Sequence, residues 1–156
     1  MNIEHWFEFK YRILALSVLL ALTLYYALFL PNSIYGKSFH ANTISVKANM
    51  YTMQTMVETY AVDWEGLYPT SISILRQEAQ NSKKQYWKEM TNPYMASHQV
   101  KTANLDMGHK PLPGVVVYSA IPDTRTGKIT AYRIYGYDEK AKAIEVKGKV
   151  LTLSEL

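Results

Sequence analysis

The fold of this chain is decided by Ile13–Leu30, whose sequence is ILALSVLLALTLYYALFL. The stretch carries no charged residue, and its only polar groups are the hydroxyls of Ser17, Thr23, Tyr25 and Tyr26. As a helix it would be roughly 27 Å long, which is close to the thickness of the hydrocarbon core of a bilayer. We therefore expect a membrane-spanning helix, followed by a domain that this helix holds at a membrane.

A cleaved signal peptide and a buried helix are the two alternatives for this stretch. A signal peptide usually has a shorter apolar region and a small-x-small cleavage site, whereas here the run ends in Ala27-Leu28-Phe29-Leu30-Pro31, with bulky residues where small ones are needed. A buried helix that is apolar on every face would be unusual in a chain of 156 residues. An uncleaved anchor is the favoured interpretation. The residues expected to form it are Ile13, Leu16, Leu19, Leu20, Leu22, Leu28, Leu30 and Pro31.

Pro31 is expected to end or kink the helix, because proline cannot donate to the turn before it. Lys10 and Arg12 adjoin the N-terminal end of the stretch, and Lys37 lies beyond the other end. The positive-inside rule thus favours a cytoplasmic N-terminus and an external domain. The predicted divisions are a cytoplasmic tail at 1–12, an anchor at 13–30, a linker at 31–40 and a soluble domain at 41–156.

The downstream domain begins with a second helical pattern, over about Asn42–Asp63. Apolar residues recur there at spacings of four, three, four and three, which places them on one helix face. They are Val46, Met50, Met53, Val57 and Tyr60. The segment Trp64–Pro69 is expected to end this helix. The methionines are interpreted as gap-filling core residues.

A shorter helix is predicted over Ser71–Gln80, with Ser71 as its cap and with Ile72, Leu75 and Ala79 on one face. The long polar segment Asn81–Pro113 follows it, and Trp87 and Tyr94 are expected to pin that segment to the core.

The periodicity then changes to two, which indicates β-strands. Strands are predicted at Gly114–Ile121, Ile129–Tyr137 and Ala143–Leu153, with a turn at Pro122–Lys128 in which Gly127 adopts a positive φ. Short turns between consecutive strands favour an antiparallel meander. The predicted fold is α+β, with a transmembrane helix, a long amphipathic spine helix, an irregular middle containing a short helix, and a three-stranded antiparallel sheet packed on the spine helix.

This order of elements resembles that of type IV pilins and of the pseudopilins of type II secretion systems. Ala48–Asp63 and the following Gly66–Pro69 look like the end of the pilin spine helix and the turn after it. Asn92-Pro93-Tyr94 resembles the Asn/Asp-Pro-aromatic element ahead of the pilin sheet, and Gly114–Tyr118 and Tyr132–Asp138 resemble its strands. The resemblance implies residence in the bacterial inner membrane and contact with pilin or secretion-system subunits, including copies of itself.

The N-terminal part departs from that family. The family carries a glycine at its leader-cleavage point and a glutamate inside the apolar helix, which is thought to pair with the free amino group of a neighbouring subunit. No glycine precedes Ile13 here, and Ile13–Leu30 contains no acidic residue. The resemblance is therefore to a pilin-like domain on a non-standard anchor.

We find no pattern for catalysis, cofactor binding or metal binding, and predict a non-enzyme. The chain has no cysteine, which excludes disulfides, thiolate metal sites and a cysteine nucleophile. Its four histidines do not form a pair at the spacing of a helical metal site. Some pseudopilins bind calcium, which makes calcium the alternative here. The acids that would have to supply oxygen ligands are dispersed along the chain. They are Asp106, Asp123, Asp138 and Glu139.

The second predicted strand is rich in aromatic residues, and only one of its faces can meet the spine helix. One interpretation of its side chains is packing across the strands of a half-exposed sheet, and the other is a contact surface for a partner subunit. The residues are Tyr132, Arg133, Tyr135 and Tyr137. Nucleic acid is not an expected partner, because the net charge of +4 is scattered and forms no basic stripe.

Two functions remain open on the sequence. The first is a structural subunit or assembly component of a type IV pilus or type II secretion system. The second is a membrane-tethered binding or sensing module that has a pilin-like fold and does not polymerise.

Overall fold

The computed structural model describes the backbone of residues 3–83, 85–98 and 100–155, and side chains over 11–28, 41–83, 85–98 and 100–155. The chain divides into two units, Met1–His40 and Ala41–Leu156. The class is α+β, with an N-terminal apolar helix and a mixed sheet of four strands.

Helix α1 spans Ile3–Asp63. The predicted end at Pro31 is wrong, and 31–40 is helical. A single proline removes one backbone donor, while the turns before and after it keep their own hydrogen bonds. The helix ends where predicted, beside Gly66. The φ of Gly66 is +82°, and its N–H donates to the carbonyl of Ala61 at 2.8 Å, which closes the last turn.

The core of the second unit lies between α1 and the sheet. The predicted face of α1 is confirmed, since all five of its residues are buried, and Met56 joins them. The cluster continues through Val116, Tyr118, Tyr132 and Ile134 of the sheet. Gly136 lets the sheet approach α1 closely, because a Cβ built on it would lie 2.7 Å from Cγ1 of Val46.

The irregular middle contains more regular structure than predicted. Helix α2 spans Ile72–Asn81, and Ser71 caps it as predicted, with Ile72, Leu75 and Ala79 buried. Helix α3 spans Met95–His98, and strand β1 spans Asn104–Asp106.

Asn92 holds this middle segment in place, and it is 2% exposed. Its Nδ2 donates to the carbonyls of Thr102 and Pro113 at 2.9 and 2.8 Å, and its Oδ1 accepts from the N–H of Tyr94 at 2.9 Å. Tyr94 is buried and Trp87 is half-buried against the core, as expected of residues that pin the segment.

The three-stranded antiparallel sheet is not confirmed. Strand β2 spans Val116–Pro122, β3 spans Ile129–Gly136 and β6 spans Thr152–Glu155. The order is β1-β2-β3-β6, with β1 parallel to β2 and the other pairs antiparallel. Strand β1 was missed because three polar-flanked residues give no periodicity.

The predicted third strand, Ala143–Leu153, is divided. Strands β4 (Glu145–Val146) and β5 (Lys149–Val150) form a small hairpin of their own. Lys147 and Gly148 both have positive φ, at 53° and 74°, which is the geometry of a tight two-residue hairpin turn. The strand that pairs with β3 is β6, which begins at Thr152 and not at Ala143 as predicted.

Candidate functional site

The apolar segment of α1 is one candidate functional surface. The window Tyr11–Leu28 has a mean hydropathy of 1.7, and none of it is buried within the protein. By length and composition this helix is able to cross a membrane. Its predicted anchor residues from Ile13 to Leu28 are between 48% and 66% exposed. The side chains of Leu30 and Pro31 lie outside the described residues.

Two of the polar groups in this segment are satisfied within the helix itself. Oγ of Ser17 donates to the carbonyl of Leu14 at 2.8 Å, and Oγ1 of Thr23 donates to the carbonyl of Leu20 at 2.9 Å. A hydroxyl bonded in this way needs no water, which is the condition for lying in hydrocarbon.

The predicted tyrosine surface is divided between the two faces of β3. Tyr132 lies on the helix side and is 0% exposed, so its assignment to an exposed contact surface is wrong. Its ring packs against Tyr68 and Tyr118, with centroids at 4.8 and 6.3 Å. The reason is strand alternation, which turns Tyr132 and Ile134 towards α1.

The hydroxyl of Tyr132 is held by two side chains of α1. It donates to Oε1 of Glu58 and accepts from Nε2 of Gln54 at 3.2 Å. Burial, followed by the adjoining Glu58, raises the pKa of Tyr132 well above its ordinary value. The two hydrogen bonds of the Tyr132 hydroxyl, to Glu58 and from Gln54, hold β3 against the spine helix.

The other three predicted residues lie on the outer face of the sheet. Arg133 is exposed, and Tyr135 and Tyr137 are half-buried. The two tyrosine rings meet edge to face at 5.7 Å. Burial, followed by the contact with Tyr135, raises the pKa of Tyr137. This face therefore offers Arg133 beside a packed aromatic pair.

A second exposed stripe, not anticipated from the sequence, runs along α1 within the Ala41–Leu156 unit. Ile44, Tyr51 and Val62 are exposed, Val62 by 82%. Intervals of seven and eleven residues place them on one side of the helix, away from the buried stripe. A shallow cavity of about 480 Å³ lies along this stripe beside Thr55.

A polar groove lies between α2 and β1. Its volume is about 480 Å³, and its lining includes Arg76, Gln77, Gln80, Asn104 and Asp106. These residues come from two elements far apart in sequence, so no local motif could have predicted the groove. One residue of the lining, Asp106, is among the acids that the sequence offers as possible oxygen ligands for calcium.

The acids named for calcium are not gathered into one place in the part of the chain that the structure describes. Oδ1 of Asp123 accepts from the backbone of Arg125 and Thr126 at 2.9 and 2.8 Å, and these bonds lower its pKa. Oδ1 of Asp138 accepts from the backbone of Lys140 at 2.8 Å. Among residues 3–83, 85–98 and 100–155, no group of three or more acidic or histidine side chains is placed to hold a metal ion.

No protein-family model matches the sequence, and no curated protein or solved structure is significantly similar to it.

Proposed function

We propose that this chain is a non-enzymatic, single-pass membrane protein that acts through protein–protein contacts. It serves as a pilin-like or pseudopilin-like structural subunit or assembly component of a type IV pilus or type II secretion system. The anchor lies in the bacterial inner membrane with its N-terminus in the cytoplasm, and the 41–156 domain is periplasmic or extracellular. Its partners are the bilayer, pilin or secretion-system subunits, and further copies of the chain.

The observation that carries this proposal is that no residue of Tyr11–Leu28, an apolar segment on a helix of 61 residues, is buried within the protein. Exposed apolar surface of this extent is unfavourable in water and favourable in lipid.

Two surfaces of the 41–156 domain suit contacts with another protein. One is the exposed stripe of α1 formed by Ile44, Tyr51 and Val62. The other is the outer face of β3 with Arg133 and Tyr135, continued by Tyr137 just after the strand. Aromatic residues and arginine are enriched in protein interfaces, and apolar stripes on helices pack against other helices.

Single-cysteine crosslinking tests the proposal cleanly, because the natural chain has no cysteine. We expect Tyr51→Cys or Arg133→Cys, whichever surface is used, to give adducts with a second copy or with a pilin in whole cells. Thr124→Cys, in the exposed turn after β2, is the matched control and should give few adducts. The protein should also appear in the sheared surface fraction.

The alternative is a non-polymerising binding or sensing module on the same anchor. The absence of an acidic residue from Ile13–Leu30 and of a glycine before it favours this alternative, because assembly in the resembled family uses both. Complete retention in membranes after shearing, with no adduct from Tyr51→Cys or Arg133→Cys, would exclude the filament role and leave the module.

A further inference from the structure

The β4–β5 hairpin stands apart from the main sheet of the domain. Its two strands pair with each other and belong to no larger sheet. All residues from 145 to 150 are exposed, Val146 by 42% and Val150 by 48%. The hairpin joins the core at its base, where the N–H of Leu151 donates to the carbonyl of Ile144 at 2.8 Å. Such an arm holds apolar side chains in solvent, where a second protein is able to contact them.

The two faces of this hairpin differ in charge. Val146 lies opposite Lys149 in the strand pair. Glu145 lies opposite Val150. Opposed residues of an antiparallel pair share a face, so the acidic residue lies on one face and Lys149 on the other. Lys147, in the turn, adds a second cation at the tip. One face of the hairpin therefore offers an apolar side chain beside positive charge.

The C-terminal end of α1 has the complementary character. Val62 is 82% exposed there. Glu58 and Asp63 line the shallow cavity beside it, and the described lining of that cavity includes no lysine or arginine. Glu65, in the turn after the helix, is also exposed. This end of α1 therefore offers an apolar side chain beside negative charge.

The threonine hydroxyls near Val62 do not depend on water for a hydrogen bond. Oγ1 of Thr55 donates to the carbonyl of Tyr51 at 2.9 Å, and Oγ1 of Thr59 donates to the carbonyl of Thr55 at 2.7 Å. Another protein is able to cover hydroxyls bonded in this way without breaking a hydrogen bond. The surface is therefore suited to burial in a contact.

The hairpin and this surface lie too far apart to meet within one chain. The base of the hairpin lies beside Val46, because a Cβ built on Gly136 would lie 2.7 Å from Cγ1 of Val46 and 3.5 Å from Cδ1 of Ile144. Val62 follows Val46 on the same helix at a distance of about 24 Å. The arm from Ile144 to the turn is only about 10 Å long. A contact between the two surfaces must therefore join two copies of the chain.

We propose that the β4–β5 hairpin of one copy docks on the C-terminal end of α1 in a second copy. Val146 packs against Val62, and Lys147 and Lys149 pair with Asp63 and Glu65. Each copy carries one hairpin and one docking surface, so the contact is head-to-tail and repeats from copy to copy. Neighbouring domains are then offset along α1 by about 24 Å, as in subunits stacked in a line and not in copies side by side at one height.

This inference rests on the proposed self-association and specifies the contact through which it occurs. A single contact of this kind is weak, because exposed ion pairs contribute little. A copy held at both its hairpin and its docking surface gains from multivalency. The contact uses charges of the folded domain, and so does not require an acidic residue in Ile13–Leu30.

Disulfide crosslinking of the full chain in detergent micelles tests the contact, since the natural chain has no cysteine. Val62→Cys copies are mixed with Val146→Cys copies and oxidised with copper phenanthroline. Val62→Cys mixed with Thr124→Cys is the matched control, because Thr124 is exposed in another turn. We expect about fivefold more adduct from the first mixture, because docking raises the effective concentration of the two thiols. Equal yields from the two mixtures would overturn the proposal.

A chain that carries both cysteines distinguishes a head-to-tail contact from a closed one. Val62→Cys/Val146→Cys should give a ladder of trimers and larger species, because each added copy leaves one hairpin and one docking surface free. A product that stops at the dimer would indicate a symmetric contact and would overturn the proposal. So would a disulfide formed within one chain.

Charge reversal tests the ion pairs with variants of exposed residues. Lys147→Glu/Lys149→Glu in the Val146→Cys chain should lower the adduct yield about fivefold. Asp63→Lys/Glu65→Lys in the Val62→Cys chain should restore it, which also shows that both variants are folded. A yield that the first reversal does not change, or that the second does not restore, would overturn the proposal.

Failure of this contact is distinguishable from failure of the proposed function. Adducts from Tyr51→Cys or Arg133→Cys in cells, without adducts between positions 62 and 146, would reject this contact and keep the role in protein contacts. Loss of all these adducts would reject both.

Discussion

At the scale of single residues, the closest contact between helix and sheet depends on the smallness of Gly136. The strand crosses α1 at Val46 and Met50, and a Cβ built on Gly136 would lie 2.7 Å from Cγ1 of Val46 and 3.1 Å from Sδ of Met50. Its φ is not in the positive region, so the glycine is required here for space and not for backbone conformation.

Gly136→Ala should therefore lower the free energy of unfolding by about 1–3 kcal/mol, because an inserted methyl group overpacks a buried contact. Denaturant unfolding of the full chain in micelles measures this cost. Val46→Ala is the partner in a double-mutant cycle. The double variant should be more stable than the sum of the two single effects predicts, since the removed methyl groups make room for the added one. If the free-energy changes of the two single variants simply add in the double variant, the close contact between Gly136 and Val46 is contradicted.

At the scale of elements, the middle segment between α2 and β2 is held by one buried amide more than by regular structure. The side chain of Asn92 bonds three backbone groups from different parts of that segment. A short, irregular segment has few apolar contacts of its own, so a polar clamp determines its path.

Asn92→Ala should destabilise the domain by about 2–4 kcal/mol, because it leaves three backbone groups without their partner. Hydrogen exchange should accelerate at Tyr94 and over β1 more than over β3. Asn49→Ala is the matched control. Its amide makes a single bond at the surface, to the carbonyl of Thr91 at 3.0 Å, so its loss should cost less than about 1 kcal/mol. Equal losses of stability in the two variants would show that the hydrogen bonds of Asn92 do not hold the segment in place.

The same segment marks the limit of what the sequence could predict. The buried face of α1, the cap of α2 and the positive φ of Gly127 follow from local spacing and turn chemistry, and the structure confirms them. Strand β1 depends on a partner twelve residues away, and its sequence carries no alternation. The α2–β1 groove required both elements to be placed, so it lay beyond local reasoning. The predicted contact surface is wrong at Tyr132, because the sheet face that packs on α1 decides which side chains of β3 are exposed.

At the scale of the whole molecule, buried tyrosine hydroxyls make the stability of the fold depend on pH in the alkaline range. Burial raises the pKa of Tyr118 and of Tyr132 well above the ordinary value near 10. The unfolded chain therefore loses these protons at a lower pH than the folded chain. Their contribution to stability is complete below about pH 10 and is lost as the pH rises through the folded pKa values.

The free energy of unfolding should thus fall above about pH 10, by about 1.4 kcal/mol per pH unit for each such tyrosine. Tyr132→Phe should reduce that slope by about the share of one tyrosine, and Tyr118→Phe should do the same. Unfolding of the full chain in micelles, followed at several pH values by tryptophan fluorescence, measures the slopes. An unchanged slope in both variants would show that these hydroxyls do not govern alkaline stability.

The self-bonded hydroxyls of Ser17 and Thr23 have one further consequence. Both hydroxyls are bonded to their own helix, and the residues from Ile13 to Leu28 include no charged side chain that would need a polar partner in lipid. In a bilayer such a segment would make no polar contacts that oppose lateral diffusion. On the proposed membrane role, recognition of a partner becomes a two-dimensional search, in which the anchor fixes the plane and the folded domain makes the selection.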